Sequence, residues 1–563
     1  MSEDGAPVAP QWRRFFPPAQ WLADYQARWL SADAIAGITL AAYAVPVSLA
    51  YATLAGLPPQ VGIYGYLLGG LGYALFGSSR QLAMGPTSAI SLMIASAVGV
   101  MAAGDTERYA QIASLAAFTV AALCFIAWLL RLSVLVKLIS DSVLVGFKAG
   151  AGLTIAMTQL PSLFGVPGGG HNFIERVTTL VGQLPMTQGL VLAIGLVALL
   201  LLIFGERLLP GRPVALGVVA LSIIVTTLFA LQSFGVPVTG HIPAGLPELR
   251  GPALRWRDVE DIVPLAAGCL LLAYIEGVSA ARSFAAKHNY AIGARQELLG
   301  VGAANLAAGL GQGYPVAGGL SQSAVNDKAG ARSPLALVFA SITLALCLLF
   351  LTGLLENLPK AVLAAVVLTA IAGLFDLSAL LHMWRVSRID FLAAVVALGG
   401  VLLFGILQGI LLAALASVLM LLAVASRPHV AFLGRIPGTR RYADMSRHPE
   451  NEEPPGTLAF RPEASLIYVN ADAVRDTVMA RLAAEGRAIT LVVCDLSAAA
   501  RLDLAGARML AELRDELAKR NISLRIIGAL GRVRDLLTAD DGEKWQDALE
   551  RGSLDDLLMR ADS

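Results

Sequence analysis

Between about Ala32 and Ala425 the chain returns repeatedly to apolar runs of about 20 residues. At about 1.5 Å per residue, each run is long enough to cross a hydrocarbon core roughly 30 Å thick. Few folds are open to such a chain. Lipid offers no partner for a backbone N–H or C=O, so the segments that cross it must be helices or closed barrels, and runs of this length are helical. Hydrophobic residues fill 56% of the 563 positions and charged ones 15%, which is outside the usual soluble balance. The 42 basic and 41 acidic side chains leave a net charge of +1, and nothing calls for a nucleic-acid partner.

The runs read as spans at 32–54, 58–77, 85–103, 109–130, 138–158, 188–205 and 213–231, then 262–283, 295–311, 319–330, 333–353, 357–375, 389–405 and 408–425. That gives about 14 transmembrane segments, and seven per half is an odd number, which turns the two halves over relative to one another in the bilayer. The expectation is an all-α polytopic membrane domain over 32–426, an inverted repeat of about 32–231 and 262–425. Within it, Met84-Gly85-Pro86-Thr87-Ser88-Ala89 and Ala317-Gly318-Gly319-Leu320-Ser321-Gln322-Ser323 interrupt their spans at matching positions. Non-helical backbone at membrane depth is tolerated where protein buries it or where it lines a cavity, so paired interruptions point to a transporter's substrate site.

Loop charge sets the orientation. With the N-terminus cytoplasmic, the inside loops collect Arg80, Arg131, Lys137, Arg207, Arg212, Arg282, Lys287, Arg295, Lys328, Arg332, Arg385, Arg388 and Arg427, while fewer basic residues lie outside. The two longest external connections are then 159–187 and 232–261. Residues 1–31 form a cytoplasmic N-terminal segment, in which Trp12, Arg13, Arg14, Phe15 and Phe16 suit the headgroup level; a disordered tail is the alternative. After Arg427 a charged, proline-rich linker spans 427–456, and a small cytoplasmic α/β domain occupies 457–563. Its strands are expected at Ser465–Ala471, Ile489–Cys494 and Ile522–Gly528, with a helix from Ala505 to Arg520.

Pro46-Val47-Ser48-Leu49-Ala50-Tyr51-Ala52, continuing through Ala55-Gly56-Leu57-Pro58-Pro59-Gln60-Val61-Gly62-Ile63-Tyr64, resembles the signature of the first two helices of the sulfate permease (SulP) family of anion transporters. The two interrupted segments resemble that family's third- and tenth-helix starts, and the soluble domain resembles its STAS domain. The resemblance implies a core that carries substrate past a gate, a homodimer, a bacterial-type inner (plasma) membrane with both termini cytoplasmic, and a cytoplasmic protein partner for the STAS-like domain. Two positions depart from the family: Val47 stands where Gln is common, and Gln322 where many sulfate carriers have Arg. The STAS-like loop reads Asp503-Leu504-Ala505-Gly506, without the Ser or Thr that related regulators phosphorylate.

A helix start offers unpaired N–H groups and about half a positive charge, so two facing starts attract an anion without a charged side chain. The candidate substrate-binding residues are Pro86, Thr87, Ser88, Ala89, Gly319, Leu320, Ser321 and Gln322, with Ser48 and Tyr51 following Pro46, which is expected to disrupt the first helix. The same small polar residues also suit capping or close packing. Glu276 reads as the one acidic residue well inside an apolar span and is the candidate proton-coupling group. A structural ion pair with Lys148 is the other reading.

No metal-ligand spacing and no nucleophile–base pair stands out, so neither an enzyme nor a cofactor is expected; the coupling ion is a proton or sodium. The function expected is secondary active symport of a small inorganic anion, sulfate first by resemblance, with bicarbonate or a C4-dicarboxylate as alternatives. A proton-coupled nucleobase carrier would lack the STAS-like tail. An anion channel, or a sensor signalling through that tail, stands as the rival from another class.

Overall fold

Helices that are apolar on every side, not along one stripe, make up most of the first part of the molecule, as expected of segments that face lipid or one another. The computed structural model describes residues 21, 25–132, 140–170, 172–209, 213–252, 256–486 and 488–561. The N-terminal residues 1–20, with their Trp and Arg pattern, and Lys137 and Arg212 of the loop-charge argument lie outside the described residues. The chain divides into two units, Met1–Ser417 and Val418–Ser563.

In the first half the helices are α1 (Leu30–Leu54), α2 (Pro59–Phe76), α3 (Ser88–Ala102), α4 (Thr106–Leu129), α5 (Asp141–Phe164), α6 (Phe173–Gln183), α7 (Gly189–Leu208) and α8 (Val214–Leu228), with a two-residue strand β1 (Met84–Gly85) before α3. The second half repeats the order as α9 (Trp256–Lys287), α10 (Ala294–Leu310), strand β2 (Ala317–Gly318), α11 (Leu320–Lys328), α12 (Leu335–Phe350), the short α13 (Thr352–Leu355), α14 (Lys360–Ala372), α15 (Leu377–Val386), α16 (Arg388–Phe404) and α17 (Ile406–Ser426). Apart from α6, α13 and α15, each helix answers one expected span. By length and composition, 7 helices among the described residues are long and apolar enough to cross a membrane, and Ser88–Ala102, Val214–Leu228 and Leu335–Phe350 are shorter apolar ones. The connection expected over 159–187 is not all loop: α5 runs on to Phe164, and Asn172 caps α6 by accepting from Glu175 N.

Two bodies of helices pack inside this unit. One joins α1–α4 to α9–α12, most closely through α2 and α4 on α10 and through α1 on α12; the other joins α5 to α14 and α16, and α14 to α7. Each half therefore gives its first four helices to one body and its later ones to the other. Contacts of α1 with α14 and of α3 with α5 bridge them. Contrary to the expectation of a disrupted first helix, α1 runs unbroken through Pro46.

The second unit holds a sheet ordered β4-β3-β5-β6-β7, built from β3 (Val430–Arg435), β4 (Tyr442–Asp444), β5 (Thr457–Pro462), β6 (Leu491–Asp495) and β7 (Ser523–Ile527). Strands β5, β6 and β7 run parallel, while β3 is antiparallel to β5 and to β4. The parallel strands connect through α18 (Ala471–Ala484) and α19 (Leu504–Ala518), and α20 (Gly531–Trp545) and α21 (Leu554–Ala561) follow. Two expectations are corrected here. The stretch 427–456 is not merely a linker, since it supplies β3 and β4. Ser465–Ala471 is not a strand: Asn470 accepts from Ile467 N at 3.0 Å and donates to Ser465 O at 3.0 Å, turning the chain into α18. The Asp503 loop caps α19, its carboxylate accepting from Gly506 N at 2.8 Å and Tyr468 N at 2.8 Å.

Candidate functional site

The two interruptions meet. β1 and β2 pair antiparallel, Met84 opposite Gly318 and Gly85 opposite Ala317, so the backbone freed by each break is satisfied by the other. The antiparallel sense is what two halves of opposite orientation produce. Just beyond the ladder, Thr87 and Gly319 stand at the N-caps of α3 and α11, and neither start is closed by a side-chain hydrogen bond. The first helical bonds are Ser91 N to Thr87 O at 2.9 Å and Ser323 N to Gly319 O at 3.0 Å. The N–H groups ahead of them have no partner within their own helices.

Polar side chains hold this crossing from behind. Asn305 donates to Val301 O at 2.9 Å and Val316 O at 3.0 Å, and accepts from Val316 N at 3.0 Å, fixing the extended approach to β2. Ser323 Oγ accepts from Ala83 N at 2.9 Å and donates to Gly319 O at 2.7 Å, while Asn326 donates to Gln81 O at 3.0 Å. Side chains of the second half thus brace both broken segments.

In front of the two starts lies a cavity of about 150 Å³, well above the ~10–15 Å³ that one water needs. Pro86, Thr87, Ser88, Ala89, Gly319, Leu320, Ser321, Gln322, Tyr51 and Glu276 all line it. Ser48 does not. It is buried at 1%, and its carbonyl is covered by α2, where a Cβ placed on Gly62 would come 2.0 Å from Ser48 O. Thr87 Oγ1 is buried without a hydrogen-bond partner. Gln322 spends its amide on Ala317 O at 3.2 Å, holding its own helix start.

The wall also holds Lys148 from α5, Tyr43 and Val47 from α1, Ser279 and Ala280 from α9, and Ala370, Gly373 and Leu374 at the end of α14. Tyr43, Val47 and Tyr51 are spaced four residues apart, which puts them on one helix face, so Tyr43 could have been found from Tyr51 by helical spacing. The small residues of α14 carry no such signal. Lys148 and Glu276 both face the cavity, and no ion pair within 4.0 Å joins them among the described residues. A second, wider space of about 520 Å³ shares Tyr43, Ser321, Ala370 and Gly373 with the first and carries Glu206 and Lys328 on its wall.

Among the described residues, two carboxylates of this unit are fully buried, each in the first turn of its helix and not well inside a span. Asp33 and Glu297 are both 0% exposed. Each is bound by local donors, Asp33 by Arg332 N, Ser333 N and Ser333 Oγ, and Glu297 by Tyr73 Oη, Ser78 N and Ser78 Oγ. They hold helix ends and loops together, whereas Glu276 faces open space.

Comparison with known proteins adds independent observations. The profile of the Sulfate permease family matches residues 30–397, and that of the STAS domain matches 448–541. A Mycobacterium tuberculosis (strain CDC 1551 / Oshkosh) protein named Probable sulfate transporter MT1781 is 34% identical over 511 residues, covering 91% of this chain and 90% of its own length. The Arabidopsis thaliana Probable sulfate transporter 3.3 is 30% identical over 551 residues, covering 94% of this chain and 87% of its own. In fold, the chain superposes on the murine Solute Carrier 26 family member A9 anion transporter in its inward-facing state with a TM-score of 0.90, at 20% identity over 100% of this chain and 97% of that one. The transmembrane domain of the cyanobacterium bicarbonate transporter BicA gives a TM-score of 0.60 at 22% identity, over 70% of this chain and 98% of that one.

Proposed function

The chain belongs to the sulfate permease family, and from that premise we propose that it is a secondary carrier that moves a small oxyanion, sulfate first, together with a proton. One observation carries the reading: two uncapped helix starts, locked together by the β1–β2 pairing, face a cavity that also contains Lys148 and Glu276. The starts supply N–H donors and partial positive charge. Lys148 supplies a whole one, from the opposite helical body, in a chain that has Gln322 where many relatives resembled here have Arg. Glu276 would repel an anion when ionised and admit it when protonated, which links the two cargoes by charge alone.

The test is uptake of labelled sulfate by the full chain in proteoliposomes, with proton and sodium gradients imposed separately. Lys148→Gln should raise the sulfate KM by about 10- to 100-fold, the worth of one charge-assisted hydrogen bond. Glu276→Gln should carry anion without responding to the pH gradient. Gradient-driven uptake unchanged in Glu276→Gln would end proton coupling through this residue, and flux that never concentrates the anion would favour a channel. Bicarbonate is the second reading. Lys148 is the one fixed cation on the cavity wall among the described residues, and a single charge suits a monoanion. A panel of anions competing with labelled sulfate separates the two.

A further inference from the structure

A third cavity, which shares no residue with the two at the helix starts, lies in a trough between α4 and α10 of about 830 Å³. Its floor is made of small residues, Ala121, Ala122, Gly302 and Ala303, because α10 approaches α4 so closely that a Cβ on Gly302 would stand 3.0 Å from Cys124 Cβ. Phe118 and Phe125 rise as walls. The one hydroxyl in the lining, Thr119 Oγ1, already donates to Leu115 O at 2.9 Å, so nothing in the trough is left to bind water. Along α4 the lining runs from Leu115 to Phe125, which at about 1.5 Å per residue is roughly 15 Å, the depth of one leaflet.

One end of this trough is charged. Trp128 stacks on Phe125 with ring centroids 5.6 Å apart, and the Arg295 guanidinium lies 4.7 Å above the Trp128 ring while its Nε donates to Trp128 O at 3.1 Å. Arg131 follows within one turn and is exposed. Among the described residues no carboxylate pairs with either arginine. An apolar slot one leaflet deep, ending in an aromatic ring and two unpaired cations, matches a lipid whose head is negative.

We infer that the trough holds one acyl chain of an anionic phospholipid, with its phosphate on Arg295 and Arg131. The site is independent of the transport reading, since it shares no residue with the anion cavity. The experiment is native mass spectrometry of the full chain in mild detergent, titrated with phosphatidylglycerol or, separately, phosphatidylcholine. Phosphatidylglycerol should be retained about 30-fold more strongly, the effect of two basic side chains at a membrane surface. Arg131→Gln with Arg295→Gln should erase the headgroup preference. Ala122→Trp, which fills the trough from an exposed position, should reduce retention of both lipids, whereas Leu200→Trp on the outer face of α7 should not. Thermal unfolding of each variant confirms that the fold persists. Equal retention in Ala122→Trp and the parent protein, or no preference for phosphatidylglycerol, would overturn the inference. So would conversion of a dimer to monomers by Ala122→Trp, which would assign the trough to a second copy of the chain.

Discussion

Glycine is used in two different ways in the helical unit that holds the cavity, and substitution separates them. At Gly62 an added Cβ would lie 2.0 Å from Ser48 O, a backbone atom of a packed helix that has nowhere to go. At Gly319 it would lie 2.8 Å from Gln322 Nε2, the far end of a flexible side chain. Gly62→Ala should therefore cost about 1–3 kcal/mol or more in stability, as overpacking does, and lower the unfolding midpoint in detergent. Gly319→Ala should leave that midpoint nearly unchanged but swing Gln322 away from Ala317 O, altering the KM for the transported anion. Equal loss of stability in both variants would contradict this division. The cavity-lining residues that could be read from the chain were those whose type is out of place in an apolar run: Thr87, Ser321, Gln322 and Glu276. Tyr43, Gly373 and Leu374 do not stand out in that way, because their role comes from which helix packs opposite them. Ser48 was expected at the cavity because it follows Pro46, and its position in the unbroken α1 places it against α2.

At the level of elements, the breaks in α3 and α11 announced themselves through Gly and Pro, while the polar brace behind them did not, since an Asn within an apolar run can serve many ends. Asn305→Ala removes three hydrogen bonds and leaves Val316 N and O unpaired in a site that water does not reach. The expected cost is about 1–3 kcal/mol per orphaned group, read as a lower unfolding midpoint, together with loss of uptake as β2 drifts from β1. In the second unit the strands of the parallel sheet were legible where β-branched residues clustered, at β6 and β7. β3 and β4 were hidden by the proline-rich composition around them. That hairpin is pinned by Asp444, which accepts from Ser446 N at 2.9 Å, Ser446 Oγ at 2.7 Å and His429 Nε2 at 2.7 Å. Burial pulls the Asp444 carboxyl upward, but the hydrogen bonds from Ser446 and His429 outweigh it and hold it down at about 2. A carboxyl depressed on folding contributes stability above its unfolded value, near 4, and loses it as pH falls toward 2. Hydrogen exchange of the β3 and β4 amides in the full chain should thus be faster in Asp444→Asn than in the parent at pH 6, with the difference fading below about pH 4. A difference that persists unchanged into acid would show that the carboxylate's charge is not what holds the hairpin.

For the whole molecule, the inverted repeat does more than build two similar halves. It brings two helix starts together within one body and sets them against a wall supplied by the other, so the cavity belongs to a seam. A seam can open on one side or the other if the bodies move, and that is what alternating access requires. Gly373, where α14 ends, tests whether this space is the transport route. A Cβ there would meet only Ala370 O at 3.9 Å, and no unusual backbone angle demands glycine at that position. Gly373→Phe should therefore fold with nearly the parental unfolding midpoint while its ring occupies the roughly 150 Å³ facing Ser321 and Glu276. Uptake should fall to background for every anion in the panel, and raising the substrate concentration should not restore it, because the obstruction blocks the route and not merely one contact. Gly373→Ala, which adds one methyl to open space, should transport normally. If the phenylalanine variant carries anion at the parental rate while remaining folded, the substrate takes another path and the paired helix starts are only a structural crossing.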